Sequence, residues 1–282
     1  MATKTKATPR KTKTPSVTTV CILGAGGRMG RMLTAAATEA DGVQVAAATE
    51  TDGNPLLGQD AGTLAGVGAL GVPLTDGASM AKADVVIDFT FHSAVPGNLA
   101  NAVKKGAKAY VLGTTGLTDE EKKAVAKVAK KIPIVWAPNF SLGVNILLDL
   151  VKRTAALLDE TYDIEIVEMH HRHKKDAPSG TALAIAESAA AGRKTSLSEQ
   201  AVYGREGIIG ERPAGQIAIH ALRGGDVVGD HTAIFAADGE RVELVHKASS
   251  RSAFAKGAVK AAAWVVGKTP AIYNMRDVLG LD

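Results

Sequence analysis

Apolar residues fall into short blocks over the first half of the chain, and helix-length patterns separate those blocks. Thr18 to Leu23 is apolar, ends in glycines and predicts a buried parallel strand. Arg28 to Ala40 predicts a helix, and Val43 to Glu50 a second strand. Further strands are expected at Ala83 to Phe89, Ala109 to Leu112 and Pro133 to Trp136, with helices over Ser93 to Lys105 and Thr118 to Lys131. Thr118 has the chemistry of an N-cap, and Asp119, Glu120 and Glu121 favour the positive end of the dipole that follows. The alternation predicts an α/β fold, a Rossmann-type doubly wound parallel sheet. Ligands bind such sheets at the carboxyl ends of the strands. That edge collects Gly24 to Gly30, Glu50 to Gly53, Phe89 to His92, Gly113 to Gly116 and Ala137 to Phe140.

Past Phe140 the pattern changes. Ser141 predicts the cap of a helix reaching about Leu158, with Leu147, Leu148, Val151, Ala155 and Leu158 on its buried side. Tyr162 to His170 alternates in part, so Ile164, Ile166, Glu168 and His170 share one strand face. Gln216 to Leu222 reads as a strand, and Thr232 to Ala237 with Arg241 to His246 flank Asp238-Gly239 as a hairpin. These elements predict a second, α+β domain built on its own sheet. A last helix, Ser252 to Val266, is expected to return to the first domain. The division is then 1–16 as a tail, 17–140 completed by 251–282 as the first domain, and 141–250 as the second.

Composition narrows the class. Hydrophobic residues make up 46% and charged residues 22% of 282, as in ordinary globular proteins, and no run of eighteen apolar residues predicts a membrane span. The one cysteine, Cys21, excludes an internal disulfide and fits a reducing, cytoplasmic setting. Five of the 33 basic residues stand in the first sixteen positions, which leaves 28 against 29 acids in the body. That Thr/Lys/Pro-rich segment is expected to be a disordered tail rather than a nucleic-acid or targeting element. It lacks the apolar core of a secretory signal.

Two stretches carry chemistry. Gly24-Ala25-Gly26-Gly27-Arg28-Met29-Gly30 joins the first strand to the first helix with glycines spaced G-x-x-G-x-x-G, one position off the strict dinucleotide fingerprint. Such a turn lets backbone approach a pyrophosphate at a helix N-terminus, although glycines also mark plain tight turns. Glu50, twenty residues beyond Gly30, suits the adenosine ribose hydroxyls. Its charge favours NADH over NADPH, while Arg28 and Arg31 keep dual use open. The second stretch runs from His170 to Thr181 and holds three of the seven histidines beside Arg172, Lys174 and Lys175. A metal site and a solvated basic loop are the alternatives, and too few cysteines and carboxylates lie nearby for the metal. Ser179 reads as the N-cap of an apolar helix from Thr181 to Ala191, ended by Gly192. Its first-turn amides, at Gly180 and Thr181, suit a carboxylate, with lysine adding charge and histidine able to donate a proton. A thiol-dependent dehydrogenase is excluded, since Cys21 lies inside the first strand.

With these blocks the chain resembles the 4-hydroxy-tetrahydrodipicolinate (dihydrodipicolinate) reductase family of lysine and diaminopimelate biosynthesis. The resemblance rests on the glycine turn, Asp88-Phe89-Thr90, Gly113-Thr114-Thr115-Gly116, Asn139-Phe140-Ser141, Glu168 to Ala182, His246 to Arg251 and Met275 to Leu279. It implies reduction of a cyclic unsaturated dicarboxylate by NADH or NADPH, in a two-domain homotetramer without nucleic-acid, membrane or metal partners. It assigns the proton donor to His170, a second essential role to Lys174, and substrate contacts to His171, Ser179, Gly180 and Thr181. Cofactor contacts fall at Gly24, Ala25, Gly26, Gly27, Arg28, Met29, Glu50, Gly113, Thr114, Thr115, Ala137, Pro138, Asn139 and Phe140. Many relatives carry arginine after the acid of the second strand. Thr51 stands there in this chain, which moves the expectation towards NADH.

Overall fold

The computed structural model describes residues 17–281, so the tail expected over 1–16 lies outside the described residues. The first half contains β1 (Thr18–Leu23), α1 (Arg28–Glu39), β2 (Val43–Glu50), α2 (Ala61–Ala65), β3 (Leu74–Asp76), β4 (Val85–Asp88), α3 (Val95–Lys104), β5 (Ala109–Leu112), α4 (Asp119–Ala129) and β6 (Ile134–Trp136). The second half contains α5 (Leu142–Leu157), β7 (Asp163–His170), α6 (Gly180–Gly192), α7 (Leu197–Gln200), β8 (Ala201–Tyr203), β9 (Ile217–Arg223), β10 (Gly229–Ala237) and β11 (Glu240–Ala248). The chain closes with α8 (Ser252–Val265), β12 (Ile272–Tyr273) and α9 (Met275–Leu279).

Seven parallel strands form one sheet in the order β12-β6-β5-β4-β1-β2-β3. The order reverses between β1 and β4, the crevice where open α/β sheets take their ligands. Layers on both faces explain the unbroken apolar runs. Val20 and Ile22 face a core with Leu33 and Ala37 of α1 and Ala258 and Val265 of α8. Cys21 and Leu23 face the opposite core, with Leu99, Tyr110 and Val125. Period-2 alternation therefore feeds two layers rather than one layer and solvent.

The second sheet is mixed, ordered β11-β10-β7-β9-β8, with β7 antiparallel to β10 and parallel to β9. Helices α5 and α6 cover one face, packing Leu147 and Val151 against Ile164, Ile166, Ile185 and Phe235. The two helices pack closely because α6 is nearly all small residues. A Cβ on Gly192 would stand 2.4 Å from the Lys152 carbonyl oxygen. The other face carries Leu222 and Val245, at 44% and 50% exposure.

The predicted elements recur within a few residues. The histidine-proximal helix begins at Gly180, one residue before the expected start, and the expected strand at Ala83 to Phe89 shortens to Val85–Asp88. Patterning did not predict α2, β3, α7, β8, β12 or α9, each five residues or fewer. At that length neither periodicity nor propensity separates an element from a loop. The return of the C-terminus is tertiary: β12 extends the first sheet beside β6, and α8 lies on α1 and the sheet.

Candidate active site

The glycine turn is fixed by backbone contacts. Gly24 holds φ +64°, and a Cβ on Gly30 would fall 2.1 Å from the Gly24 carbonyl oxygen, so α1 starts hard against the end of β1. Gly27 is the N-cap and offers no side-chain cap. The first intrahelical bond there runs from Arg31 N–H to Gly27 O at 3.0 Å, which leaves the amides of Arg28, Met29 and Gly30 for an anion. A turn of bare backbone ending on an uncapped helix fits the pyrophosphate of a nicotinamide dinucleotide. Glu50 lies beside it: Oε1 accepts from Gly26 N–H at 2.9 Å, and Oε2 from Asn54 Nδ2 at 3.1 Å and Thr51 N–H at 3.2 Å. Arg31 donates to the Gly26 carbonyl at 2.8 Å, while Arg28 and Thr51 are exposed. Ala25 is buried in the core under the turn.

The neighbouring loops are tied by Asp88, which is fully buried at the end of β4. Its carboxylate accepts from Tyr110 Oη at 2.6 Å, Asn98 Nδ2 at 3.0 Å, Thr90 N–H at 2.9 Å, Thr90 Oγ1 at 2.6 Å and Thr114 Oγ1 at 3.2 Å. The Thr114 side chain thus points inward, and only its backbone is left for a ligand. Thr115 is exposed. Gly113 lies under Phe89, whose ring atoms would come within 2.2 Å of an added Cβ. Phe89 and Phe140 meet at 5.3 Å between centroids, and Phe140 and Ala137 are both core residues. Met29, Gly113, Pro138, Asn139 and Phe140 border a cavity of about 300 Å³.

Pro138 and Asn139 also border a larger cavity, of about 570 Å³, that reaches His170, Lys174, Ser179, Gly180 and Thr181. The structure therefore brings the two predicted halves of the site together at one loop. Asn139 Nδ2 donates to Thr181 Oγ1 at 3.1 Å across that junction. His170 ends β7 on its buried face, where its Nδ1–H is given to Glu168 Oε2 at 2.6 Å. Ser179 is turned inward: its hydroxyl accepts from Ala182 N–H at 3.1 Å, and its own N–H goes to Glu168 Oε1 at 2.9 Å. It shapes the cradle, and the amides of Gly180 and Thr181 form the open first turn of α6. Lys174 pairs with Asp176 at 2.9 Å and holds that carboxyl below its usual range.

His171 is half-buried, with Nδ1 lacking a hydrogen-bond partner. Burial first, then the charge of Arg251, pushes it down. Among the described residues no group of three or more His, Cys, Asp or Glu is gathered to hold a metal ion. No described helix is long and apolar enough to cross a membrane.

The family model described as "Dihydrodipicolinate reductase, N-terminus" matches residues 18–140, and "Dihydrodipicolinate reductase, C-terminus" matches residues 143–279. The chain belongs to the dihydrodipicolinate reductase family. A 4-hydroxy-tetrahydrodipicolinate reductase of Anaeromyxobacter dehalogenans is 49% identical over 267 residues, covering 94% of this chain and 98% of that one. A reductase of the same name from Magnetococcus marinus is 51% identical over 263 residues, covering 93% and 98%. The fold also matches that of a dipicolinate-bound dihydrodipicolinate reductase from Paenisporosarcina sp. TG-14. There the TM-score is 0.71 at 23% identity, over 93% of this chain and 99% of the other.

Within this dihydrodipicolinate reductase fold several site neighbours escaped the sequence reading. Arg223, on β9, grips Glu168 with both guanidinium nitrogens at 2.8 and 2.9 Å. His231, on β10, is buried with Nε2 3.2 Å from Ser179 Oγ and its ring edge-on to His170. Asn274, Met275 and Arg276 line the larger cavity from the C-terminus, the last two within a block that carried the resemblance but was given no site role. Period-2 alternation had put Glu168 beside His170. Nothing local to Arg223, 55 residues further on, indicates its partner.

Proposed function

We propose that this chain reduces 4-hydroxy-tetrahydrodipicolinate to tetrahydrodipicolinate, on the route to diaminopimelate and lysine, with a nicotinamide dinucleotide as reductant. The observation that carries the reading is one cavity in which a histidine, a lysine and the first turn of α6 face the loop that also borders the nucleotide crevice. A dicarboxylate suits that chemistry. The amides of Gly180 and Thr181 hold one carboxylate, and Lys174, exchanging Asp176 for substrate, adds a charge-assisted bond. His171, beside His170 but outside the cavity lining, is assigned a substrate contact by the family resemblance alone. Loss of the 4-hydroxyl as water makes the ring conjugated and electron-poor. When bound, the reduced nicotinamide supplies a hydride to that ring. His170 completes the two-electron reduction by delivering a proton from Nε2, since Nδ1 is committed to Glu168.

NADH is the preferred cofactor in this reading. Glu50 is anionic beside the turn, and Thr51 offers no positive charge for a 2′-phosphate. Residues 17–140 with 251–282 form the cofactor half, and 141–250 the substrate half. The uncovered face of the second sheet, with Leu222 and Val245, is the surface through which we expect a homotetramer to form. We take the enzyme to work in the cytoplasm.

The test supplies substrate in place, from pyruvate and aspartate semialdehyde with the preceding synthase in excess, and follows NADH and NADPH oxidation separately. Synthase-dependent oxidation is expected, faster with NADH. His170→Ala should lower turnover by about 10²–10⁴-fold with NADH affinity little changed. A folded, nucleotide-binding protein that oxidises neither cofactor would sink the reading.

A further inference from the structure

Glu168 is fully buried, and the pattern of its bonds is specific. One oxygen, Oε2, accepts from both His170 Nδ1 at 2.6 Å and Arg223 Nη1 at 2.8 Å. The other, Oε1, accepts from Ser179 N–H and from Arg223 Nη2, each at 2.9 Å. Burial by itself pushes this carboxyl up, but Arg223, His170 and the Ser179 amide together hold it below the usual carboxylate range. Arg223 reaches further, donating through Nη2 to the Asp176 carbonyl at 2.6 Å. One ion pair therefore holds the imidazole, the residue that caps α6 and the loop carrying Lys174. On its far side the ring borders the larger cavity. Gly229 lies there, and a Cβ on it would stand 2.9 Å from Nε2.

We propose that Glu168 and Arg223 are positioning residues that set the acid strength of His170, Glu168 by fixing the ring and lending it negative charge, Arg223 by sharing the same oxygen. The proposal rests on the assignment of His170 as proton donor. A carboxylate on Nδ1 alone strengthens the hold on the imidazole proton and weakens the acid. A guanidinium on the same oxygen withdraws part of that charge, which makes the proton easier to give up. The other groups near the ring are few. Lys174 and His171 come from the following loop, and Arg276, paired with Asp149 at 2.8 Å, lines the same cavity from α9. His231 faces the ring from β10 with centroids 5.1 Å apart, and burial pushes it down to about 4, so it is neutral in the working range. Helix α6 brings no charged residue before Glu187. Glu168 is thus the charge bonded to the ring, and Arg223 the cation bonded to that same oxygen.

The experiment is the pH profile of kcat/KM in the synthase-coupled assay for wild type, Glu168→Gln and Arg223→Gln, with folding checked by thermal unfolding and NADH binding. The basic limb, lost in His170→Ala, is expected to move to lower pH in Glu168→Gln and to higher pH in Arg223→Gln, by about 1–3 pH units each. KM for NADH should stay near the wild-type value. A merely structural role lowers kcat in both variants without opposed shifts. Limbs that stay in place, or move the same way, overturn the proposal. Should Arg223→Gln fail to fold, Arg223→Lys keeps the charge and loses the fork, and its limb should remain at the wild-type pH with lower kcat. A displaced limb there overturns the proposal equally. Failure of the His170 assignment is separately visible, because His170→Ala would then keep its turnover.

Discussion

Gly30→Ala and Gly97→Ala make the same chemical change at the third position of two helices, α1 and α3, and should act with opposite sign. In an open helix position alanine is favoured over glycine by about 0.5–1 kcal/mol, largely because it restricts the unfolded chain. Gly97 meets that condition: an added Cβ has no atom within 4 Å. Gly30 does not. Its Cβ would lie 2.1 Å from Gly24 O and 2.5 Å from Ala25 Cα, both backbone, so no side chain can rotate away. Relief to ordinary contact requires α1 to retreat from β1 by about 1 Å. Such overpacking costs about 1–3 kcal/mol, and the upper end applies because Leu33, Ala36 and Ala37 lose contact with the sheet as the helix moves.

The same retreat draws the amides of Arg28 to Gly30 away from the turn, so NADH affinity should fall at least tenfold, about 1.4 kcal/mol. Urea unfolding followed by circular dichroism reads the stability, and quenching of protein fluorescence reads NADH binding. A Gly30→Ala protein as stable as wild type and with unchanged NADH affinity would refute the reasoning. So would a Gly97→Ala protein destabilised by as much as Gly30→Ala.

Cofactor choice and pH offer two further tests. Thr51→Arg adds a cation beside Glu50 at the end of β2 and should shift the NADPH to NADH ratio of kcat/KM by at least about tenfold towards NADPH, since an arginine there accommodates a 2′-phosphate. An unmoved ratio in the coupled assay would show that the selection lies elsewhere. His231 takes up a proton in the folded state only near pH 4, whereas an unfolded histidine does so near 6.5. Between those values the unfolded state binds more protons, so the contribution is full above about pH 6.5 and is lost as pH falls towards 4. It amounts to up to about 3 kcal/mol, and His171 and His246 add to it in the same direction. Urea titrations at pH 7 and pH 5 should differ in wild type and differ much less in His231→Gln. Equal slopes in the two proteins would mean that His231 is not held neutral by burial.

The sequence by itself determined the elements whose signal is local. Short apolar runs gave five of the seven strands of the parallel sheet, β1, β2, β4, β5 and β6. Thr118 with its three acids gave the start of α4, where Thr118 caps the helix as expected and Glu121 closes a capping box. Period two gave the shared face of Glu168 and His170, and Ser179 gave the cap of α6. These are legible because a side chain's direction along a strand, and the orphan amides at a helix start, depend on a handful of neighbouring residues.

Only the tertiary structure decided which distant groups meet. Arg223 reaches Glu168 because β9 pairs in parallel with β7, a register no local pattern encodes. Thr114 turns inward because Asp88, buried at the end of the next strand, needs donors. Asn274, Met275 and Arg276 reach the cavity because α8 crosses the sheet and returns the chain as β12 beside β6. For Arg223 and Thr114 the partner is chosen by burial and by the requirement that a buried charge be paired, and both are properties of the assembled fold.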